Sequence, residues 1–450
     1  MSTNNWDDSK EILGGPVLGS SLPCTCGREH RILTRRVVIE EGVARQIPRM
    51  LPDLIPGERV LMMADTRTWE AAGEGLFNEL STTHAVERCV IPDDDSGHIH
   101  ASVELADEID ASSPAAYDMI AAVGSGTVND LAKEVAHRRG LPYFVYATAA
   151  SMNGYTSAIV ALLEGGLKTT RATTPPVAVF ADPEVLVRAP HELTLAGLGD
   201  LVSKPFCGCD WLIASLVKSE YYCPMPNRLL SVPFERALGV FPRLAGNDPE
   251  AVLELFRLLL VSGISMSITG TSSPASGGEH LISHYWDMVR LRDGLDLNLH
   301  GAQVGVGSLV SDDLYREIFD LDFSRATFKP NPSLESERRK IRAIFGSLAD
   351  AVWPQWKAKL ADRENDLERL VEHEGAIKDE IARTMTTGSE VRRALVESGA
   401  PVAAQQLGLS ASELDAAIRH GRKIRTRFTV LDVAAELGSL DSFADRISGP

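Results

Sequence analysis

The sequence lacks an excess of positive charge, and this absence excludes a large class of functions. Its 450 residues contain 45 lysines and arginines against 62 aspartates and glutamates, a formal net charge of −17. Sequence-independent binding of nucleic acid needs a basic face that neutralises phosphates, so we expect no nucleic-acid partner. A small anionic substrate is still compatible with this balance, because a pocket can be locally positive.

Long apolar runs are also scarce. We expect no segment with the apolar length of a membrane span, and residues 1–8 carry neither the basic nor the apolar part of a secretion signal. These features predict a cytoplasmic protein with no membrane partner, in which the six cysteines stay reduced.

The cysteines do not follow a familiar zinc pattern. Cys24 and Cys26 with His30, and Cys207 with Cys209, are two Cys-x-Cys pairs separated by roughly 180 residues, which is not the spacing of a zinc knuckle. A zinc site is one interpretation of these pairs, but we favour ordinary packing or loop thiols.

The length of the chain exceeds the usual size of one hydrophobic core, so we expect more than one domain. Residues 1–31 are polar and glycine-rich, which predicts an N-terminal arm with little regular structure. Strands alternate with helices over 36–147, which indicates a nucleotide-binding α/β domain over 32–187 with a doubly wound parallel sheet. Helical spacing then prevails and predicts an all-α domain over 188–450, with the active site expected in a cleft between the two domains.

One stretch combines a strand, a glycine turn and a helix. An apolar run over 119–123 is broken by Gly124-Ser-Gly126, and helical spacing begins at Thr127. Such a turn directs free backbone N–H groups and the positive end of a helix at a phosphate, although any βα turn can need a glycine. A further predicted strand ends at Thr148-Ala-Ala-Ser151, which would bring small and hydroxyl residues to the same sheet edge, where nucleotides bind.

Asp65 ends another predicted strand, which begins at Arg59. A carboxylate at the carboxyl end of a strand is well placed to bind ribose hydroxyls. It is equally well placed to cap the helix predicted from Trp69 onward. We keep both interpretations.

Polar groups interrupt the apolar helices of the second half. Asp200 and Lys204 are spaced i and i+4, His280 and His284 have the same spacing, and His300 opens a further predicted helix. Taken singly, these are patterns of a surface ion pair or of a helix start. In apolar helices, however, they need partners, and Asp/His/His ligation of a divalent cation with one open position is typical of a catalytic site.

With these motifs in this order, the sequence resembles the sn-glycerol-1-phosphate dehydrogenases, within the superfamily of iron-containing alcohol dehydrogenases, glycerol dehydrogenases and dehydroquinate synthases. The resemblance rests on Cys24-Thr-Cys-Gly27, Gly124-Ser-Gly-Thr-Val-Asn-Asp130, Thr148-Ala-Ala-Ser-Met-Asn-Gly-Tyr155, Gly197-Leu-Gly-Asp200, Glu279-His280 with His284, His300-Gly301 and Ile424-Arg-Thr-Arg-Phe-Thr-Val-Leu-Asp432. It implies a Rossmann-like sheet domain followed by a dehydroquinate synthase-like all-α domain. It also implies an NAD(P)-linked oxidoreductase of phospholipid metabolism that interconverts sn-glycerol 1-phosphate and dihydroxyacetone phosphate.

The resemblance further implies the residues of the site. One divalent metal ion (zinc, nickel or iron) would be held by Asp200, His280 and His300, with His284 contacting the substrate. One position departs from the family: Asn153 stands where an aspartate usually faces the substrate, and an amide keeps the size and an acceptor oxygen but cannot relay a proton. The implied contacts to NAD or NADP are Asp65, Gly124, Ser125, Gly126, Thr127, Val128, Asn129, Asp130, Thr148, Ala149, Ala150, Ser151 and Ser157.

The substrate is expected to be a small phosphorylated polyol, and Lys204, Arg290 and Lys329 are candidates for binding its phosphate. We also expect a homo-oligomer, a dimer or larger.

Two alternatives are retained beside a dehydrogenase for another polyol. A dehydroquinate synthase-like cyclase would use the same cofactor transiently, but members of that group usually carry glutamate where Asp200 stands, so we favour net redox chemistry. Residues 402–418 mimic a helix-turn-helix. Ser410 and Glu413 also form the pattern of a helix capping box, and acidic residues fall in the would-be recognition helix, so DNA binding is disfavoured.

Overall fold

The strands of the chain are short. The computed structural model describes residues 8–93, 97, 99–113, 116–165, 167–327, 330 and 332–449. Its strands are β1 (Ser21–Pro23), β2 (Glu29–Arg31), β3 (Arg36–Ile39), β4 (Arg59–Asp65), β5 (Ala85–Ile91), β6 (Met119–Gly124), β7 (Tyr143–Ala147), β8 (Ile159–Glu164), β9 (Leu167–Ala172) and β10 (Ala178–Ala181).

Helices occupy most of the remaining chain. They are α1 (Ser9–Gly14), α2 (Ile47–Leu54), α3 (Thr66–Thr68), α4 (Glu74–Leu80), α5 (Val103–Ser112), α6 (Gly126–Arg139), α7 (Pro183–Arg188), α8 (His191–Leu201), α9 (Lys204–Lys218), α10 (Met225–Leu238), α11 (Pro249–Thr269), α12 (Gly278–Arg292), α13 (His300–Asp320), α14 (Leu334–Phe345), α15 (Ala349–Ala361), α16 (Asp366–Glu372), α17 (Glu374–Ser398), α18 (Ala411–His420), α19 (Val430–Leu437) and α20 (Leu440–Ile447). Among the described residues beyond β10 there is no strand.

Six strands form one parallel sheet in the order β3-β10-β7-β6-β4-β5. Every residue of β6 and β7 is buried, as expected for central strands whose two faces are both covered by helices. The register pairs Ala64 with Val123 and Gly124 with Ala147, so the carboxyl ends of β4, β6 and β7 meet at one edge of the sheet. The predicted class, a doubly wound parallel sheet followed by a helical region, is confirmed.

The chain forms two compact units. The first contains the described residues up to Gly165, together with 169–197 and 223–272. The second contains Lys168, residues 198–222 and the chain from Ser273 onward. Helices α10 and α11 therefore belong to the first unit, whereas from the sequence we expected every residue beyond 187 to lie in one helical domain.

Residues 9–31 are more regular than expected, and the prediction of little regular structure is wrong for them. They form α1 and an antiparallel pair of β1 and β2. Ile12 and Leu13 are buried, and the Ser9 hydroxyl donates to Glu254 of α11 at 2.9 Å. Tertiary contacts of this kind stabilise a helix that is too short to form alone.

Helix α11 corrects the expectation about apolar length. Its 21 residues are long and apolar enough to cross a membrane by length and composition, but 78% of its most apolar window is buried. A helix that is apolar on all sides is also what the interior of a large protein requires. The composition of α11 therefore fits a core helix of the first unit.

The segment that mimics a helix-turn-helix contains only one of the two helices. Residues Ala404–Leu407 form a single 3-10 turn, and α18 follows it. The predicted capping box is confirmed, because Ser410 and Glu413 exchange hydrogen bonds at the start of α18. Trp286 of α12 donates to the Glu413 carbonyl at 3.0 Å, so α18 packs against another helix of the second unit.

Candidate active site

The end of α8 and the start of α13 approach each other closely beside the predicted metal ligands. A Cβ atom on Gly199 would lie 2.1 Å from the carbonyl oxygen of Gly301, so only glycine permits α8 and α13 to pack at this separation. Asp200 follows Gly199, and His300 precedes Gly301. This contact brings a carboxylate and an imidazole that are distant in sequence into one cluster.

Asp200, His280 and His300 form that cluster. One ligand atom from each lies within 4.8 Å of the others. The Asp200 carboxylate is 3.6 Å from Nε2 of His280, and the ring centroids of His280 and His300 are 5.3 Å apart. Asp200 is 2% and His280 5% exposed. The structure therefore offers a buried carboxylate and two imidazoles at a spacing that one divalent cation can bridge.

Hydrogen bonds orient both imidazoles of the cluster. Nδ1 of His280 lies 2.8 Å from a carboxylate oxygen of Glu279, which can only accept. Nδ1 of His300 lies 3.2 Å from the Ser283 hydroxyl, whose own proton is directed to the Gln303 side-chain oxygen at 2.7 Å. Each Nδ1 is therefore assigned as the donor, which leaves the lone pair on Nε2, and this is how metal-binding histidines are usually held.

The charges around the cluster favour metal-binding protonation states. Burial alone would raise the pKa of Asp200, but the Lys204 ammonium holds it below its ordinary value. Burial, followed by the Lys168 ammonium, lowers the pKa of both His284 and His300 well below the ordinary value. An ionised carboxylate beside neutral imidazoles is the state in which such side chains bind a cation.

His284 lies beside the cluster and stacks on His300, with ring centroids 5.3 Å apart and an interplanar angle of 15°. With Asp287 and His300 it forms a second group whose ligand atoms lie within 4.8 Å of one another. Asp287, however, pairs with Lys168 at 3.6 Å. Nδ1 of His284 has no hydrogen-bond partner among the described residues. The set containing Asp200 therefore fits a metal better, because both of its histidines are oriented.

The predicted phosphate-binding cations differ in their surroundings. Lys204 is buried. Arg290 is occupied by an ion pair with Glu413 at 3.3 Å, and Lys329 lies outside the described residues. Lys168, which sequence reasoning missed, pairs with Asp287 at 3.6 Å, and its charge contributes to lowering the pKa of His284 and His300. No local motif marked it, because it lies in β9, which is distant in sequence from α12.

In the first unit, the two predicted cofactor loops are adjacent. The Thr148 amide donates to the Gly124 carbonyl at 3.2 Å. A Cβ on Gly124 would lie 2.7 Å from the Val128 Cβ, so helix packing explains this glycine. A Cβ on Gly126 would meet Met152 only at an ordinary 3.5 Å, and Gly126 is not a positive-φ residue. Neither packing nor conformation explains glycine at 126, which is consistent with close approach of a ligand.

Several other predicted cofactor residues make hydrogen bonds within the first unit. Asp65 accepts the Thr68 amide at 2.7 Å, so the helix-cap interpretation is confirmed. The Lys133 ammonium donates to the Ser157 hydroxyl at 3.0 Å and lies 3.9 Å from Asp130. Lys133 was not predicted, and burial lowers its pKa to about 8. The remaining predicted residues lie at the start of α6 or just after β7: Ser125, Thr127, Val128, Asn129, Ala149, Ala150 and Ser151.

Asn153 lies in a turn that packs on α11 within the first unit. Its side chain is almost fully buried. The Thr156 hydroxyl donates to the Leu260 carbonyl at 2.6 Å, and a Cβ on Gly263 would lie 2.6 Å from the Asn153 carbonyl oxygen. The backbone of this turn therefore packs directly against α11.

Comparison with known proteins gives a consistent result. A model of the family described as Iron-containing alcohol dehydrogenase matches residues 38–190. The chain is 29% identical over 427 residues to a protein of Geobacillus stearothermophilus named glycerol-1-phosphate dehydrogenase (NAD(P)+), covering 94% of this chain and 97% of that protein. A protein of Geobacillus thermodenitrificans strain NG80-2 with the same name is 30% identical, with 83% and 86% covered.

Solved structures share the fold. A glycerol dehydrogenase of Schizosaccharomyces pombe superposes with a TM-score of 0.58 at 16% identity, over 92% of this chain and 90% of that one. At this identity the likeness concerns the fold alone, whereas the curated relatives match nearly the whole sequence. The chain therefore belongs to the glycerol-1-phosphate dehydrogenase family of iron-containing alcohol dehydrogenase-like proteins.

Proposed function

We propose that this protein is a metal-dependent oxidoreductase that interconverts sn-glycerol 1-phosphate and dihydroxyacetone phosphate with NAD or NADP. The observation that carries the proposal is the cluster of Asp200, His280 and His300, in which a hydrogen-bond partner at Nδ1 of each histidine leaves Nε2 as its ligand atom. Membership of the family supplies the substrate and the cofactor, because the relatives are named for both.

Asp200, His280 and His300 would hold the divalent cation. When bound, the cation would supply Lewis-acid polarisation of the substrate oxygen, and the nicotinamide would accept or return the hydride. Glu279 keeps the Nδ1 proton of His280 in place through its carboxylate at 2.8 Å. That contact fixes the tautomer and makes the imidazole a better ligand.

His284 would bind the substrate hydroxyl. Burial, and then the Lys168 ammonium, keep it neutral by lowering its pKa. A neutral imidazole can donate from one nitrogen and accept at the other. Asn153 would assist by a hydrogen bond alone, since an amide cannot take up the hydroxyl proton as the family's usual aspartate can.

Lys168 would contact the substrate phosphate. Its side chain is 20% exposed and pairs with Asp287 at 3.6 Å. Its positive charge lowers the pKa of both His284 and His300. A bound phosphate would neutralise the positive charge that Lys168 places near these histidines. Lysine is a common phosphate ligand.

Gly124 to Asp130 and Thr148 to Ser151 would bind the cofactor in the first unit. The start of α6 offers free N–H groups and the positive end of a helix to the pyrophosphate. Gly126 leaves room for this approach, because an added Cβ there would contact only Met152, at 3.5 Å, in the part of the chain that the structure describes. Asp65 would bind the ribose in addition to capping its helix.

A turnover assay tests the reaction. We expect the purified protein, loaded in turn with zinc, nickel or ferrous iron, to reduce dihydroxyacetone phosphate with NADH or NADPH. It should oxidise sn-glycerol 1-phosphate in preference to its enantiomer and to glycerol. Phosphate release without net oxidation of NADH would favour a cyclase like dehydroquinate synthase, and preference for an unphosphorylated polyol would contradict the proposed substrate.

Metal analysis of variants tests the ligands. His280→Ala and His300→Ala should each lose the activating metal, and His137→Ala, which changes an exposed histidine of α6, should retain it. Full occupancy in either ligand variant would overturn the assignment. The proposal also includes a cytoplasmic homo-oligomer without nucleic-acid or membrane partners, and size-exclusion chromatography tests the oligomeric state.

A further inference from the structure

The first unit contains its own cluster of metal-ligating side chains, formed by Cys24, Cys26, His30 and Cys223. One ligand atom from each lies within 4.8 Å of all the others. Cys24 and Cys26 lie in the loop of the β1–β2 hairpin, and His30 lies in β2. Cys223 just precedes α10 and comes 193 residues after His30.

Three distances within this cluster are close to the edges of a tetrahedron around zinc, and the other ligand atoms lie within 4.8 Å of one another. The sulfurs of Cys24 and Cys223 are 3.6 Å apart. Nε2 of His30 lies 3.3 Å from the Cys26 sulfur and 3.2 Å from the Cys223 sulfur. Zinc–sulfur bonds of about 2.3 Å and zinc–nitrogen bonds of about 2.0–2.1 Å give tetrahedral edges of about 3.8 Å and about 3.6 Å. These three distances therefore differ from tetrahedral edges by only a few tenths of an ångström.

The hydrogen bonds around the cluster also suit a metal. Nδ1 of His30 donates to the Ile268 carbonyl at 2.9 Å, which leaves the lone pair of Nε2 directed at the sulfurs. This backbone contact is the usual partner of a metal-bound histidine. The amides of Cys26 and Met225 point at the sulfurs of Cys24 and Cys223, at 3.5 and 3.4 Å. Such N–H groups stabilise thiolates, which accept hydrogen bonds better than thiols do.

We propose that Cys24, Cys26, His30 and Cys223 bind a structural zinc ion, separate from the Asp200 cluster. Three thiolates and one imidazole in a closed tetrahedral set are a structural zinc site, and soft sulfur ligands select zinc over harder cations. The ion would tie the β1–β2 hairpin to the segment before α10, and His30 already bonds the end of α11. The proposed dehydrogenase reaction assigns no role to the Cys24-Thr-Cys-Gly27 motif, and zinc binding would explain it.

The cysteine pair first considered as the partner is not involved. Cys207 and Cys209 are buried in α9, in the second unit. The Cys207 thiol donates to the carbonyls of Lys204 and Pro274 at 3.3 and 3.2 Å, as a packing thiol does. The fourth ligand is instead Cys223, a single cysteine with no local motif.

Metal analysis of a doubly substituted protein tests the proposal. In His280→Ala/His300→Ala, which removes the proposed catalytic ligands, we expect one tightly held zinc per chain. Adding Cys223→Ser or His30→Ala should abolish that zinc. Adding Cys89→Ser, which changes a half-buried cysteine of β5, should leave it bound. Cobalt substitution should produce thiolate-to-cobalt charge-transfer absorption that Cys223→Ser removes.

A second measurement keeps all four proposed zinc ligands intact, so it can be made even if Cys223→Ser does not fold. Titration of the His280→Ala/His300→Ala protein with a mercurial should release the zinc as three thiols react. Absence of zinc from this protein would overturn the proposal. So would a Cys24–Cys223 disulfide in its peptide map, or equal zinc content in the folded Cys223→Ser and Cys89→Ser proteins.

Discussion

Replacing Gly126 by alanine should separate cofactor binding from folding. Among the described residues an added Cβ would have only one atom within 4 Å, Met152 Cγ at 3.5 Å. The free energy of unfolding should therefore change by no more than about 0.5 kcal/mol. NADH affinity should fall at least about tenfold, or about 1.4 kcal/mol, because the methyl group occupies the space through which a pyrophosphate would approach the backbone.

Gly124→Ala is the matched control, because it alters the same turn on its packed side. Its Cβ would lie 2.7 Å from Cβ and 2.9 Å from Cγ2 of Val128, which is buried. Overpacking of this kind costs about 1–3 kcal/mol of unfolding free energy. We expect this variant to lose stability, whereas Gly126→Ala and the bulkier Gly126→Val should lose cofactor affinity.

Two measurements separate these effects. Urea unfolding of the metal-loaded proteins gives the free energy of unfolding, and quenching or transfer of NADH fluorescence gives the dissociation constant. If Gly126→Ala and Gly126→Val bind NADH as tightly as the parent, the glycine turn serves folding only. The cofactor phosphates would then have to bind elsewhere, and our placement of the cofactor would be refuted.

Three further predictions follow from individual contacts. Glu279→Gln removes the charge that holds the Nδ1 proton of His280 and should lower metal affinity about 10- to 100-fold, measured by chelator competition against the parent. Asn153→Asp should raise oxidation of sn-glycerol 1-phosphate by about a hundredfold or more if a general base is restored, and an unchanged rate and pH profile would contradict a substrate contact at this position. Burial, and then the Lys423 ammonium, lower the pKa of His420 from 6.5 to about 4. As the pH falls between these values, the unfolded imidazole gains a proton and the folded one does not. The parent should therefore lose at most about 3 kcal/mol of unfolding free energy. His420→Asn should lose less, as measured by urea unfolding at the two ends of this pH range.

Much of the architecture is visible in local patterns of the sequence. The strands at 59–65 and 119–124 are apolar runs bounded by turn residues, and their burial between helices follows from that composition. The i, i+4 spacing of His280 and His284 places both on α12 through helix geometry alone. The capping box of Ser410 and Glu413 is equally local, since a hydrogen bond across three residues depends on no distant element.

The assembly of the sites depended on tertiary structure. Asp200 joins His300 because Gly199 allows a close approach to α13, and no local pattern specifies which helix that glycine will meet. Lys168 and Cys223 carry no motif at all, so their roles are invisible until the chain is folded.

The physical reason is the range of the interactions. Strands, helices and caps are formed by neighbours in sequence, and the residue types and their spacing therefore determine them. Which elements pack together depends on the fit of whole surfaces, and this placed α10 and α11 with the sheet in the first unit and closed the ring of Cys24, Cys26, His30 and Cys223. The sequence by itself thus determined the class of fold and most of the chemistry-bearing side chains, whereas packing alone decided which of them share a site.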